Sequence, residues 1–207
     1  MKKRTLALLM AVVMLFGITV GGTIAWLTAQ SREVTNTFTV GDVEITFDET
    51  NYESTSPERD TDNEYKMIPG NKYLKDPIVH VGLASEPCYI FVELTETNNT
   101  YNTNDKVIRY VINSNWTLVE GTTNIYVYGT SNDVNDMTVV NASEDTSSVL
   151  EITGNTSITI NENVKSAEFD AMGANTPKLV FKAYAIQSAN LTATTAAEIW
   201  ALANPSN

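Results

Sequence analysis

The sequence predicts an all-β fold: a jelly-roll or Ig-like antiparallel sandwich with a short C-terminal helix, preceded by an N-terminal signal helix. Three observations predict it. Apolar and polar residues alternate with period two in segment after segment, the spacing of half-buried strands. Gly, Asn and Pro punctuate these segments at short intervals, as in sandwiches and jelly rolls. Beyond the N-terminal apolar run, only residues 193–203 carry helical spacing, with Ile199, Leu202 and Ala203 near one another and Thr194 or Thr195 placed to cap the first turn.

In chain order, Val34, Asn36, Phe38 and Val40 alternate with Thr35, Thr37 and Thr39, and Gly41-Asp42 turns the chain. Val43, Ile45 and Phe47 then form one face of a second strand, with Glu44, Thr46 and Asp48 on the other. Residues 48–66 are polar, acidic and aperiodic, which predicts a mobile surface loop. Pro69-Gly70 marks a turn before a strand at Ile78-Val79-His80-Val81. The clearest half-buried strand follows, with Cys88, Ile90, Val92 and Leu94 alternating with Tyr89, Phe91, Glu93 and Thr95. Residues 107–112 form another, and residues 116–119 and 125–128 pair across a Gly121 turn. Short strands at 137–140, 149–153 and 157–160 precede a long one at 179–186, whose Leu179, Phe181, Ala183 and Ala185 face one way.

The N-terminus reads as an export signal. Lys2, Lys3 and Arg4 precede an apolar run from Leu6 to Phe16, and no further charge occurs until Arg32. Charge, apolar stretch and then small residues is the build of a secretory signal peptide, with Thr23 and Ala25 as the small residues of the cleavage site. Cleavage there makes residues 1–25 the signal and opens the mature chain at Trp26, leaving residues 26–207 as a single secreted β-sandwich domain. The alternative is an uncleaved N-terminal anchor, because the uncharged stretch is long enough to span a bilayer. In either case the membrane is met only through this segment.

Loss of Lys2, Lys3 and Arg4 leaves 10 basic residues against 25 acidic ones, a formal charge of −15. Such a surface repels nucleic acid and anionic lipid. Cys88 is the only cysteine, so no internal disulfide forms, and a small buried hydrophobe is its expected role.

Chemistry-bearing patterns are scarce. His80 is the only histidine, which removes the two- and three-histidine zinc sites and leaves a catalytic triad without a well-placed base. Within Val-His-Val an exposed imidazole of little structural weight is expected. No catalytic residue, cofactor or firm metal site is assigned, and the chain reads as a non-enzyme. A weak calcium candidate is Asp60, Asp62 and Glu64, which alternate like a calcium loop but lack its turn glycine and distant bidentate glutamate. Asn132-Asp133-Val134-Asn135-Asp136 is equally weak. Trp116, Tyr126 and Tyr128 form either an aromatic platform or core packing. The Thr-rich strand at the mature N-terminus exposes backbone groups unless a partner covers them, which makes it a candidate for strand addition.

The run Gly21-Gly22-Thr23-Ile24-Ala25-Trp26-Leu27-Thr28, followed by Asn36-Thr37-Phe38-Thr39-Val40-Gly41-Asp42-Val43, resembles the N-terminal signature of proteins with a SipW-dependent-type signal peptide. That family includes the TasA biofilm-fibre proteins and camelysin. The Asp that ends the usual signature is lacking here. Pro69-Gly70 with the strand after it, and Ala183-Tyr184-Ala185-Ile186-Gln187, are similar to later parts of the family pattern. With a single cysteine and no internal disulfide, a Gram-positive-type extracellular setting is expected. The resemblance implies a jelly-roll-like sandwich, export through a dedicated signal peptidase and, in many members, assembly into extracellular fibres. It also implies a metalloprotease reading by way of camelysin, which the single histidine opposes.

The leading expectation is thus a secreted structural protein of the biofilm matrix or cell surface, self-associating or joined to a sister matrix protein. Val34, Asn36, Phe38 and Val40 would form the assembly strand. A monomeric extracellular adhesion or ligand-binding module is the alternative.

Overall fold

The computed structural model describes residues 42–52, 58–61, 63–173 and 175–203. The signal and cleavage residues Thr23, Ala25 and Trp26, and the assembly-strand residues Val34, Asn36, Phe38 and Val40, lie outside them. Thirteen strands are described: β1 (Ile45–Thr50), β2 (Arg59–Asp60), β3 (Lys72–Tyr73), β4 (Ile78–Val81), β5 (Cys88–Thr97), β6 (Thr100–Asn102), β7 (Asp105–Lys106), β8 (Ile108–Tyr110), β9 (Trp116–Leu118), β10 (Ile125–Tyr128), β11 (Val139–Val140), β12 (Ile158–Ile160) and β13 (Lys178–Gln187). Two helices join them, α1 (Ser166–Met172) and α2 (Ala196–Ala203). The chain is all-β, and its antiparallel sheets curl into a half-barrel consistent with the expected sandwich and short C-terminal helix.

The largest sheet is organised on β5. One edge of β5 pairs with β13 over all ten residues, from Lys178↔Thr97 to Gln187↔Cys88. The other edge is shared by β10, opposite residues 91–93, and β11, opposite Cys88 and Tyr89. The expected β9–β10 hairpin forms, with Tyr128 opposite Trp116. A second sheet runs β2-β1-β4 and a third β3-β12-β8.

Between the sheets lies a core of Val79, Val81, Cys88, Ile90, Val92, Trp116, Val140 and Val149, joined by Val43, Ile45 and Phe47 of the strand-1 segment and by Phe181, Ala183 and Ala185 of β13. The alternation read in both segments therefore places the correct faces inward. Cys88 is fully buried, and burial pushes its thiol up to about 11. Trp116 is 4% exposed, so the aromatic cluster of Trp116, Tyr126 and Tyr128 is core packing and not a platform.

Three features differ from the sequence reading. The first concerns β5, which is buried on both faces over Cys88–Val92. Helix α2 covers the second face: Trp200 packs on Phe91 and meets Tyr184 edge-on, with ring centroids 4.9 Å apart. Its N-terminus is built as expected, since the Glu198 carboxylate accepts from the Thr194 and Thr195 amides while Thr195 Oγ1 accepts from the Glu198 amide. Second, helix α1 was not expected. The Glu168 carboxylate accepts the Lys165 amide at 2.7 Å, Gly173 closes the helix at φ +53°, and Phe169 packs on the cluster of Ile108, Leu150, Ile158 and Ile160. Third, the 48–66 segment contributes to the sheet. Asp48 and Glu49 lie in β1, and Arg59 and Asp60 pair with Thr50 and Glu49. Arg59 reaches across to Asp48 and Asp76, which anchors β2 to the sheet.

Candidate functional site

Strand β13 pairs with β5 alone among the described strands. Ser188 N–H donates to Pro87 O at 2.9 Å, and that bond fixes the phase of the β5 ladder. In an antiparallel pair the inward and outward groups alternate, so Leu179, Phe181, Ala183 and Ala185 turn their N–H and C=O groups away from β5. Among the described residues no strand pairs with that outer edge. It is ten residues long, and only Lys178 and Lys182 on the solvent face guard it with charge.

Beside this edge the half-barrel opens. A cleft of about 460 Å³ runs between Tyr65, Met67, Ile108, Ile158, Ile160 and Leu179, and a second of about 330 Å³ continues past Phe47 and Phe181. Asn63, Lys75, Leu179 and Val180 line both.

Where the two clefts meet stands a buried charged group. Lys75 and Glu49 are 8% and 7% exposed. Lys75 Nζ contacts both oxygens of Glu49, at 2.7 Å to Oε1 and 2.5 Å to Oε2. Nζ also lies 5.5 Å from the Tyr65 ring centre and 5.4 Å from that of Phe181. Asn63 Nδ2 donates to the same Glu49 Oε1 at 3.0 Å, while Asn63 Oδ1 is buried without a hydrogen-bond partner among the described residues. Sequence reasoning missed this group, although a signal was present. Glu49 follows Val43, Ile45 and Phe47 at the same parity, so the pleat carries it inward with them.

On the opposite face of β1 sits a second charged group. His80 Nε2 lies 2.9 Å from Asp48 Oδ1 and Nδ1 lies 2.7 Å from Asp145 Oδ1, so both ring nitrogens meet carboxylates. The expected free imidazole is instead a clasp between β1, β4 and the 141–146 turn. Burial alone would lower the His80 pKa, but hydrogen bonds and charge from Asp48 and Asp145 outweigh it and raise the value. At Asp48 the desolvation that would raise the pKa is likewise outweighed by Arg59 and His80, and the net shift is downward.

A raised histidine pKa stabilises the fold at pH values below the unfolded value of about 6.5, and the contribution is lost as pH rises through the folded value. The Asp145 arm is 60% exposed and screened, so the Asp48 arm carries most of it. The stability advantage of the wild type over His80→Gln should therefore be full below a pH of about 6.5 and shrink as pH rises through the raised folded value. Denaturant titrations of both proteins at each pH measure this; an advantage that grows with pH contradicts the clasp.

The calcium candidates receive no support from placement. Asp60 is exposed in β2, its carboxylate accepting the Thr61 amide, and Glu64 is exposed; Asp62 lies outside the described residues. Asp133 closes a local turn by accepting the Asn135 amide. Among the described residues no three His, Cys, Asp or Glu side chains converge on a metal position. No described helix is long and apolar enough to cross a membrane. No family model, curated protein or solved structure matches the chain.

Proposed function

We propose that the chain is a secreted, non-enzymatic structural protein of a biofilm matrix or cell surface, in which residues 26–40 of one copy pair with the outer edge of β13 in the next. The observation that carries this reading is the ten-residue edge of β13, whose outward backbone groups have no strand partner among the described residues. Unpaired edges invite strand addition, in which main-chain bonds give affinity and alternate side chains give register. The Thr-rich alternation of Val34, Asn36, Phe38 and Val40 suits a donor that buries one face. A sister matrix protein with a similar strand is an equivalent partner, and export relies on a signal peptidase cutting near Ala25.

Ala183→Pro tests the edge. It removes an outward N–H while leaving the β5 ladder its bonds, a placement that edge strands tolerate. The variant should remain folded and lose most assembly by light scattering. Assembly equal to that of the wild type would refute the role of β13.

The cleft beside β13 favours one second reading, a monomeric adhesion or ligand-binding module. Processing is common to both readings, and N-terminal sequencing of extracellular protein should find a chain beginning at Trp26 or within a few residues of it. Retention of residues 1–25 in the membrane fraction would favour an anchored form.

A further inference from the structure

We propose that Lys75 and Asn63 are joined by an intramolecular isopeptide bond, formed by the protein itself with Glu49 as the proton relay. The reaction needs an amine, a carboxamide and an acid–base group held together away from water, and the three side chains supply these. Lys75 Nζ and Asn63 Nδ2 both contact Glu49 Oε1, at 2.7 and 3.0 Å, so amine and amide share a single oxygen atom. Glu49 and Lys75 are more than nine-tenths buried. The rings of Tyr65 and Phe181 flank the amine and leave it little water.

The unpartnered Asn63 Oδ1 distinguishes this group from an ordinary buried salt bridge. A settled polar cluster satisfies each member. Here the amide donates to Glu49 while its carbonyl oxygen accepts nothing among the described residues, which leaves Oδ1 open to accept from the protonated Glu49 as the carbonyl electrons move onto it. An ordinary structural role explains the Glu49–Lys75 contact but gives no reason for an amide to be left in this state beside it.

The step balances without any co-reactant. Nζ passes one proton to Glu49 Oε2, 2.5 Å away, and the freed lone pair attacks Asn63 Cγ. The carbonyl electron pair moves to Oδ1, then returns as the bond from Cγ to Nδ2 breaks. Of the three protons on Nζ, one stays on the new amide nitrogen and two leave with Nδ2 by way of Glu49. Ammonium departs and Glu49 is again a carboxylate, now able to accept the new N–H. Nothing is oxidised or reduced. The link closes a loop over residues 63–75 and ties the segment after β2 to the segment after β3, in a chain whose lone Cys88 allows no internal disulfide. Such a bond also withstands reducing conditions that would open a disulfide.

Intact mass and peptide mapping of the folded mature chain decide the matter. The expected mass is lower than the sequence mass by one ammonia molecule, and digestion yields a branched peptide joining residues 63 and 75. Glu49→Gln keeps the amine and amide but loses the relay, and Lys75→Arg and Asn63→Ala each lose a reactant, so all three should have full mass. Asn63 is the least buried of the three, so its variant serves if the others fail to fold. A wild-type chain of full mass overturns the proposal. So does ammonia loss mapped to another asparagine as a cyclic imide, with Asn63 and Lys75 recovered unlinked.

Discussion

Deleting residues 26–34 from the mature chain is expected to convert assemblies into soluble monomers. If the donated strand pairs with β13, its backbone groups are satisfied on the neighbour while Val34, Phe38 and Val40 are removed from water. Each large apolar side chain so buried is worth ~1.5–3 kcal/mol, and every ~1.4 kcal/mol is a tenfold change in association. The deletion takes Val34 and the leading part of the strand, so association should weaken by at least about tenfold to a hundredfold. Salt provides the complementary arm. Copies carrying a formal charge of −15 repel, and screening relieves repulsion between exposed charges. Raising salt should therefore leave assemblies intact or strengthen them. Light scattering on both chains reads the result, and dissolution by salt would point to charge pairing in place of strand addition.

Phe91→Ala should cause the largest loss of stability of any single change in the β5 core. Phe91 is fully buried, packed on Trp200 at 5.6 Å between ring centroids, and shares its cluster with Val119, Ile125, Val127 and Ile199. Truncating a buried Phe removes its transfer energy and leaves a cavity, typically ~3–5 kcal/mol. That is a large part of the ~5–15 kcal/mol that holds a domain folded. The loss should fall on the α2 side of the sheet, since Phe91 is what the helix covers. Val180→Ala, on a residue that is 51% exposed, should stay within ~0.5 kcal/mol. Denaturant midpoints for the two variants separate these outcomes.

The sheet scaffold was readable because period-two alternation reports burial directly. It placed Phe47, Phe181 and Ala185 on the inner face and found the β9–β10 hairpin. It failed where a second layer intervenes. Tyr89 and Phe91 read as the outer face of a half-buried strand because no local pattern announces that α2, a hundred residues later, covers them. Helix α1 is two turns long and four of the six positions described for burial are exposed, so it offered little apolar periodicity. The charged groups were hidden for another reason. Composition made residues 48–66 look like one acidic loop, although Glu49 continues the inward parity of Phe47 and Asp48 the outward parity of Thr46. His80 read as free because its carboxylate partners lie 32 and 65 residues away. The edge of β13 became legible only once β5 was known to be its sole strand partner among the described residues, since free backbone groups leave no trace in side-chain pattern.

Hydrogen exchange at the outward-facing amides of Leu179, Phe181, Ala183 and Ala185 tests the central claim most directly. It should be compared between the chain lacking residues 26–34 and the intact mature chain at high concentration. Strand addition predicts fast exchange at these four amides in the truncated monomer and strong protection in the assembly, with the β5-facing amides of Val180, Lys182 and Tyr184 protected in both. Equal protection of all seven amides in both chains would mean that the edge already has its partner within one copy, and would contradict assembly through β13.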